Sequence, residues 1–135
     1  MLNGSIQYTK DNPKTFTSNK TDGVGYLTDV YVNNLKAGTY TLNAKTDGVW
    51  VNHLSTTDPE KHGVGLWLVS TTGGGNISLG NTVPKTITTP KDGSYYIRIN
   101  TYSNGTTDVT QKFWDFKLEQ GSTATPYTPA PEDYI

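Results

Sequence analysis

The sequence predicts an all-β protein, an antiparallel jelly-roll β-sandwich of about eight to nine short strands. Three features of the sequence support this fold class. Apolar and polar residues alternate with a period of two in several segments, which is typical of strands that bury one face. Turn-forming clusters such as Asp-Gly, Asn-Pro and runs of glycine separate these segments. No segment shows a helical period longer than a turn.

The composition agrees with this class and argues against several others. Hydrophobic residues make up 33% of the chain and charged residues 17%, while Thr, Asn, Gly and Tyr are abundant, as in a β-rich domain with polar turns. The net charge of −1, without a basic patch, argues against a nucleic-acid partner. There is no cysteine for disulfides or thiolate metal sites, and no apolar stretch is long enough to span a membrane, so we expect no membrane partner.

In the first half of the chain, strand-like pieces at residues 6–8 and 15–17 precede predicted strands at 26–32 and 39–45. Asp-Gly pairs in two of the turns suit hairpins, because tight hairpin turns require positive φ. A further alternating segment follows the second of these turns, where Val49 and Val51 are predicted to be buried. Trp50 and Asn52 alternate with them and are predicted to face outward.

In the second half, strands are predicted at residues 63–70, 77–79, 85–88, 94–102 and 110–119. In the first of these strands the aliphatic residues at even positions are predicted to face inward, which places Trp67 on the opposite side. In the last strand, alternation predicts that Trp114 and Phe116 face inward. It predicts that Phe113 and Asp115 face outward.

The strand at 94–102 has the most informative outward face. Tyr95, Ile97 and Ile99 are predicted to point into a core. The side chains between them point the other way, and they are Tyr96, Arg98, Asn100 and Tyr102. A solvated strand face would ordinarily carry Thr, Lys, Ser or Glu, whereas this one carries two tyrosines, an amide and the only arginine of the chain.

Aromatic rings interleaved with amide, carboxylate and guanidinium groups form a suitable surface for a sugar. The rings pack on the apolar C–H faces of the sugar, polar groups bond its hydroxyl rim, and an arginine can hold two oxygens at once. The predicted carbohydrate-binding residues are Trp50, Asn52, Trp67, Tyr96, Arg98, Asn100, Tyr102 and Asp115. Two alternatives stay open: a slip of one residue would make the tryptophans core residues, and Asp115 also suits a solvated strand or a structural ion site.

Catalysis and metal binding are not expected. The three glutamates, Glu60, Glu119 and Glu132, are not placed as a pair across one groove, which glycoside cleavage would require. His53 and His62 lack both a nucleophile turn and a third metal ligand, so each is predicted to be a surface histidine. We expect no cofactor, although scattered aspartates and carbonyls leave a single structural calcium ion open.

Two segments of the chain resemble a known family. Residues 113–133 read FWDFKLEQGSTATPYTPAPED, and residues 32–42 read VNNLKAGTYTL. Both are similar to segments of carbohydrate-binding modules in tail and baseplate proteins of phages that infect lactic acid bacteria and related Gram-positive bacteria. The resemblance implies a module in the virion, at the tail tip or baseplate, that is attached to the rest of a tail protein. It also implies non-catalytic binding of a host cell-wall or surface polysaccharide, and we expect the isolated module to be monomeric.

The predicted domain organisation is one module over residues 1–120, followed by a Thr- and Pro-rich strap or linker over 121–135. The alternative function is a structural spacer or docking domain of the baseplate that has no ligand of its own. A glycosidase or esterase is a third possibility, which turnover of wall polysaccharide would reveal.

Overall fold

The chain forms two β-sheets in the computed structural model, which describes residues 8–21, 23–51, 60–71 and 75–122, with only the backbone at 29–31 and 33. These ranges contain nine strands and no helix, so the predicted all-β class is confirmed. The strands are β1 (Lys14–Ser18), β2 (Val24–Leu35), β3 (Gly38–Thr46), β4 (Val49–Trp50), β5 (Gly63–Ser70), β6 (Asn76–Ser78), β7 (Lys85–Thr89), β8 (Gly93–Tyr102) and β9 (Val109–Gln120). Every segment predicted after residue 14 overlaps one of these strands.

The two sheets have different strand orders. The four-stranded sheet has the order β1-β9-β3-β7, and all its pairings are antiparallel. In the five-stranded sheet β8 lies between β2 and β5. The short strands β4 and β6 share the other edge of β5, where β4 is parallel to it and β6 antiparallel. The pairing of β5 with β8 runs without a register shift from Gly63 opposite Tyr102 to Ser70 opposite Tyr95.

One hydrophobic core lies between the sheets. Both sheets contribute fully buried side chains to it, such as Leu42 and Phe113 from the four-stranded sheet and Leu66 and Ile97 from the five-stranded sheet. Each aliphatic or aromatic side chain buried in this way stabilises the fold by about 1.5–3 kcal/mol relative to an exposed one. The alternation of β5 and β8 therefore has an energetic basis, since a one-residue slip would expose a whole row of these side chains.

Two tyrosines hold the turns at which β3 and β8 begin. The Tyr40 hydroxyl donates a hydrogen bond to the carbonyl of Lys36, and the Tyr95 hydroxyl donates one to the carbonyl of Lys91, both at 2.7 Å. The two turns have matching sequences, Lys-Ala-Gly-Thr-Tyr at 36–40 and Lys-Asp-Gly-Ser-Tyr at 91–95. The same hydrogen bond from a tyrosine hydroxyl to a backbone carbonyl thus stabilises the beginning of one strand in each sheet.

A β-bulge in β9 changes which aromatic residues face the core. The prediction that Trp114 faces inward and Phe113 outward is wrong, because Phe113 is fully buried and Trp114 is half-buried outside the core cluster. The register with β3 shifts at this point, and Asp115 has a φ of 53°, a conformation that Asp tolerates better than most residues. The extra residue reverses the alternation, so that Phe116 returns to the core.

The chain after β9 continues beside β3. The N–H of Gly121 donates to the carbonyl of Thr39 at 3.0 Å, and the hydroxyl of Thr41 donates to the carbonyl of Gly121 at 2.9 Å. Residues 123–135, and residues 6 and 7 of the first predicted strand-like piece, lie outside the described residues, so the predicted division at residue 120 stays a prediction. No helix in the described ranges could cross a membrane.

Candidate functional site

The candidate site lies on the side of the five-stranded sheet that faces away from the core. Ile97 and Ile99 of β8 belong to the core cluster, as do Leu66 and Leu68 of β5. The residues that alternate with them project from the opposite side. We call this side the outer face and define it by Tyr26, Gly65, Trp67, Tyr96, Arg98, Asn100 and Tyr102.

Arg98 lies between two aromatic rings at the centre of the outer face. Its guanidinium carbon is 5.1 Å from the ring centroid of Tyr26 on β2 and 5.1 Å from that of Trp67 on β5. Trp67 is directly opposite Arg98 in the β5–β8 register, whereas Tyr26 is opposite Asn100 and reaches Arg98 diagonally. Cation–π contacts of this kind are each worth about 0.5–2 kcal/mol, so they hold the arginine in place.

Arg98 has no charged partner in the described part of the chain. The ion pairs there are Lys36–Asp92, Lys45–Asp115 and Lys117–Glu119, and none involves Arg98. Its Nε is buried and has no hydrogen-bond partner among the described residues. Within the described ranges the guanidinium is therefore held by the two rings, with no carboxylate paired to it.

Asn100 and Tyr102 form a buried polar layer beside Arg98. They are only 5% and 7% exposed, and the Asn100 side-chain amide donates to the Tyr102 hydroxyl at 3.2 Å. The side-chain oxygen of Asn100 is buried and accepts no hydrogen bond from the described residues. Burying such an acceptor without a donor costs about 1–3 kcal/mol.

Gly65 makes room for this layer. A Cβ atom at Gly65 would lie 3.3 Å from both the ring edge and the hydroxyl oxygen of Tyr102, and 3.4 Å from the indole nitrogen of Trp67. The Tyr102 ring thus lies across the glycine, next to the Trp67 indole. Tyr26 is 55% exposed, so the outer face combines an accessible aromatic ring with the buried polar side chains of Asn100 and Tyr102.

The structure brings together five of the eight predicted site residues. Trp67, Tyr96, Arg98, Asn100 and Tyr102 lie on the outer face, as the alternation of β5 and β8 predicted. Asn52 lies outside the described residues. Whether the five residues bind a sugar stays a prediction.

Trp50 does not lie on the outer face, and the prediction that it faces outward is wrong. Its ring packs against the core cluster, whereas Val49 beside it is 38% exposed. The reason is the parallel pairing of β4 with the edge of β5, which sets Trp50 opposite the core residue Val64. Burying the indole removes more apolar area from water than burying a valine would.

Asp115 lies on β9 of the four-stranded sheet, whereas the outer face belongs to the five-stranded sheet. Its carboxylate pairs with the ammonium of Lys45 at 3.1 Å, and its backbone N–H donates to the carbonyl of Tyr8 at 2.9 Å. The prediction that groups Asp115 with the aromatic residues is therefore wrong. Its side chain is only 16% exposed and ion-paired on β9 of the other sheet, so the open alternative of a solvated strand residue does not describe it either.

Tyr26 is a member of the site that the sequence prediction omits. Alternation of Tyr26 with the buried Leu27 is the signal that would have marked it as outward-facing. Its position against Arg98 depends on the pairing of β2 with β8, which joins segments far apart in the chain.

His62 is completely buried, so the prediction of a surface histidine is wrong for it, while His53 lies outside the described residues. Its Nε2 is 2.7 Å from the carbonyl oxygen of Thr107, and it must donate there because a carbonyl only accepts. In the neutral ring Nδ1 then accepts from the Ser18 hydroxyl at 2.6 Å. A serine on a histidine resembles a nucleophile and its base, but both side chains are buried and closed to a substrate in this structure.

In the ranges that the structure describes, no group of three or more His, Cys, Asp or Glu residues could hold a metal ion. No protein-family model matches the sequence, and no curated protein and no solved structure matches it either. The resemblance to phage carbohydrate-binding modules therefore stays a prediction, and the geometry of the outer face is the main support for a function.

Proposed function

We propose that this chain binds a polysaccharide non-catalytically through the outer face of its five-stranded sheet. The observation that carries this proposal is Arg98 held between the rings of Tyr26 and Trp67, beside the buried acceptor oxygen of Asn100. The polysaccharide is one of a bacterial cell wall or surface, and the chain is an adhesion module of a phage tail tip or baseplate.

The chemistry of the outer face suits a sugar ring. An exposed tyrosine ring and the edge of an indole offer apolar surfaces on which the C–H face of a pyranose can pack. The guanidinium donates to ring or hydroxyl oxygens of the sugar. Hydrogen-bond donors and aromatic surfaces thus lie side by side on three neighbouring strands.

The placement of the aromatic residues supports a ligand-binding role for this surface. They lie away from the core cluster, so packing between the sheets does not account for them.

The jelly-roll class and the phage context are part of the same proposal. Successive strands β2 and β3, β7 and β8, and β8 and β9 each cross from one sheet to the other, which supports a double-sheet jelly roll. The phage context depends on the sequence similarity of residues 32–42 and 113–133.

The test is binding of purified cell-wall polysaccharide by single-residue variants. We expect Trp67→Ala and Tyr26→Ala to weaken binding at least about tenfold, which corresponds to about 1.4 kcal/mol. Tyr26→Ala removes a mostly exposed ring, so its melting temperature should stay close to that of the wild type. Trp114→Ala is the matched control, because this half-buried tryptophan lies in the other sheet and outside the core cluster.

Unchanged binding by both outer-face variants would overturn the proposal. A spacer domain would instead show no polysaccharide binding by the wild type.

A further inference from the structure

The charge of Arg98 has a consequence for the kind of saccharide that the outer face would bind. The guanidinium group of an arginine is a permanent cation in proteins. Arg98 is half-buried, its Nε has no hydrogen-bond partner in the described ranges, and no described carboxylate pairs with it. Cation–π contacts offset only part of the cost of removing such a charge from water.

The two rings also determine the direction from which a counter-ion can come. Tyr26 is on β2 and Trp67 on β5, which are the strands on either side of β8. The core side of β8 is occupied by Ile97 and Ile99. A counter-ion would therefore approach from the side of the sheet that is turned away from the core.

From this geometry we infer that the polysaccharide carries an anionic group, a carboxylate or a phosphate diester, that pairs with Arg98. Both groups present two oxygens that match the paired N–H donors of a guanidinium, which makes the contact bidentate. This inference rests on the proposed function and names the ligand class for the same site.

The ligand should carry this charge sparsely. Arg98 is the only cation among the residues that define the outer face, and the protein has a net charge of −1. A polyanion with a charge at every unit, such as a nucleic acid, is held by a row of Lys and Arg side chains. One guanidinium between two rings fits one anionic group in each repeat of an otherwise neutral glycan.

The experiment compares matched polymers. One pair is a uronic-acid-containing polysaccharide and the same polymer after its carboxylates are reduced to alcohols. The other pair is a phosphodiester-substituted polysaccharide and the same polymer after phosphate removal. The measurement is the ratio of affinities for the acidic and neutral member of each pair, at low and at high salt, and it also tells carboxylate from phosphate.

We expect the wild type to prefer one acidic polymer over its neutral counterpart by about tenfold or more, and added salt should reduce this ratio. Arg98→Gln should bring the affinity ratio close to one. Arg98→Lys should keep part of the preference for the acidic polymer, because lysine retains a positive point charge. Lys112→Gln changes the net charge equally but lies on β9 of the other sheet, so its ratio should match that of the wild type. The melting temperature of each variant shows whether it is folded.

The outcomes separate this inference from the proposed function. A wild type that binds the neutral and acidic polymers equally well, with the ratio unchanged in Arg98→Gln, overturns the anionic ligand and leaves polysaccharide binding intact. A ratio that falls equally in Lys112→Gln and Arg98→Gln also overturns it, because net charge would then explain the preference. A wild type that binds none of the four polymers counts against both.

Discussion

At the scale of single residues, His62 connects the two sheets through its side chain. It precedes β5 of the five-stranded sheet, and its hydrogen-bond partner Ser18 ends β1 of the four-stranded sheet. Its backbone N–H donates to the side-chain oxygen of Gln111 on β9 at 3.1 Å, which adds a second link. The histidine therefore has a structural role. Because it is buried, the loss of one of its hydrogen bonds should lower the free energy of unfolding.

The Ser18→Ala variant measures this role. It removes the hydroxyl that is hydrogen-bonded to Nδ1 of His62 and leaves a buried ring nitrogen without that partner, so we expect the free energy of unfolding to fall by about 1–3 kcal/mol. Urea denaturation provides the measurement. Thr17→Val is the control, because it removes an exposed hydroxyl from the adjacent residue and should change stability by less than about 0.5 kcal/mol. Equal losses in both variants would contradict the role of the buried bond.

At the scale of elements, one carboxylate joins the two turns that precede β3 and β8. Asp92 accepts a hydrogen bond from the backbone N–H of Ala37 at 2.7 Å and lies 3.4 Å from the ammonium of Lys36. The Ala37 N–H is the main reason that the pKa of Asp92 is lowered, and Lys36 adds to the effect. Both interactions favour the ionised carboxyl in the folded protein, so they link stability to pH.

The sign of this pH dependence follows from the direction of the pKa shift. A carboxyl whose pKa is lower in the folded state stabilises the protein above its ordinary value of 3.8, and the contribution is lost as the pH falls through the lowered pKa. We expect the difference in melting temperature between wild type and Asp92→Ala to be present at neutral pH and to shrink on acidification. A second comparison serves as the control: the difference between Asp92→Asn and Asp92→Ala should not vary with pH, because neither side chain titrates. A wild-type difference that is constant with pH would contradict the prediction.

At the scale of the whole molecule, the two sheets have unlike outer surfaces. The aromatic residues and the arginine of the candidate site belong to the five-stranded sheet, while the four-stranded sheet has threonines and lysines at the exposed positions of β7 and β9. A sheet face encloses little of a ligand, so the proposed site should bind a glycan weakly. Many copies on a symmetric assembly would compensate, because binding of the first copy raises the effective concentration of the others.

Avidity can be measured with the whole chain. We expect a tetrameric display of the chain to bind immobilised cell-wall polysaccharide about 10²- to 10⁴-fold more tightly than the single chain. A tetramer of Tyr26→Ala is the control, since four weakened sites should lose most of this gain. A wild-type tetramer that binds no better than the single chain would show that the sites cannot engage one polymer together.

The sequence alone determined the strands and the facing of the two central ones. In β5 and β8 the alternation continues without interruption, so Trp67 and Arg98 could each be assigned to the side of its strand that faces away from the core before any pairing was known. Period-two patterning is a local property, and a strand with one buried face cannot shift by a residue without exposing its apolar row. The resemblance to phage modules and the sugar ligand are also sequence-based, and they stay predictions.

Tertiary structure decided what depends on partners distant in the chain. Tyr26 meets Arg98 because β2 pairs with β8, and Trp50 turns inward because β4 pairs with the edge of β5. The bulge at Asp115 reverses the alternation within a single strand, and His62 is buried because its partners come from other segments. The alternation within a strand does not reveal which strand will pair with it, and a single inserted residue alters the alternation too little to be recognised. These positions therefore became known only from the pairing and register of the folded sheets.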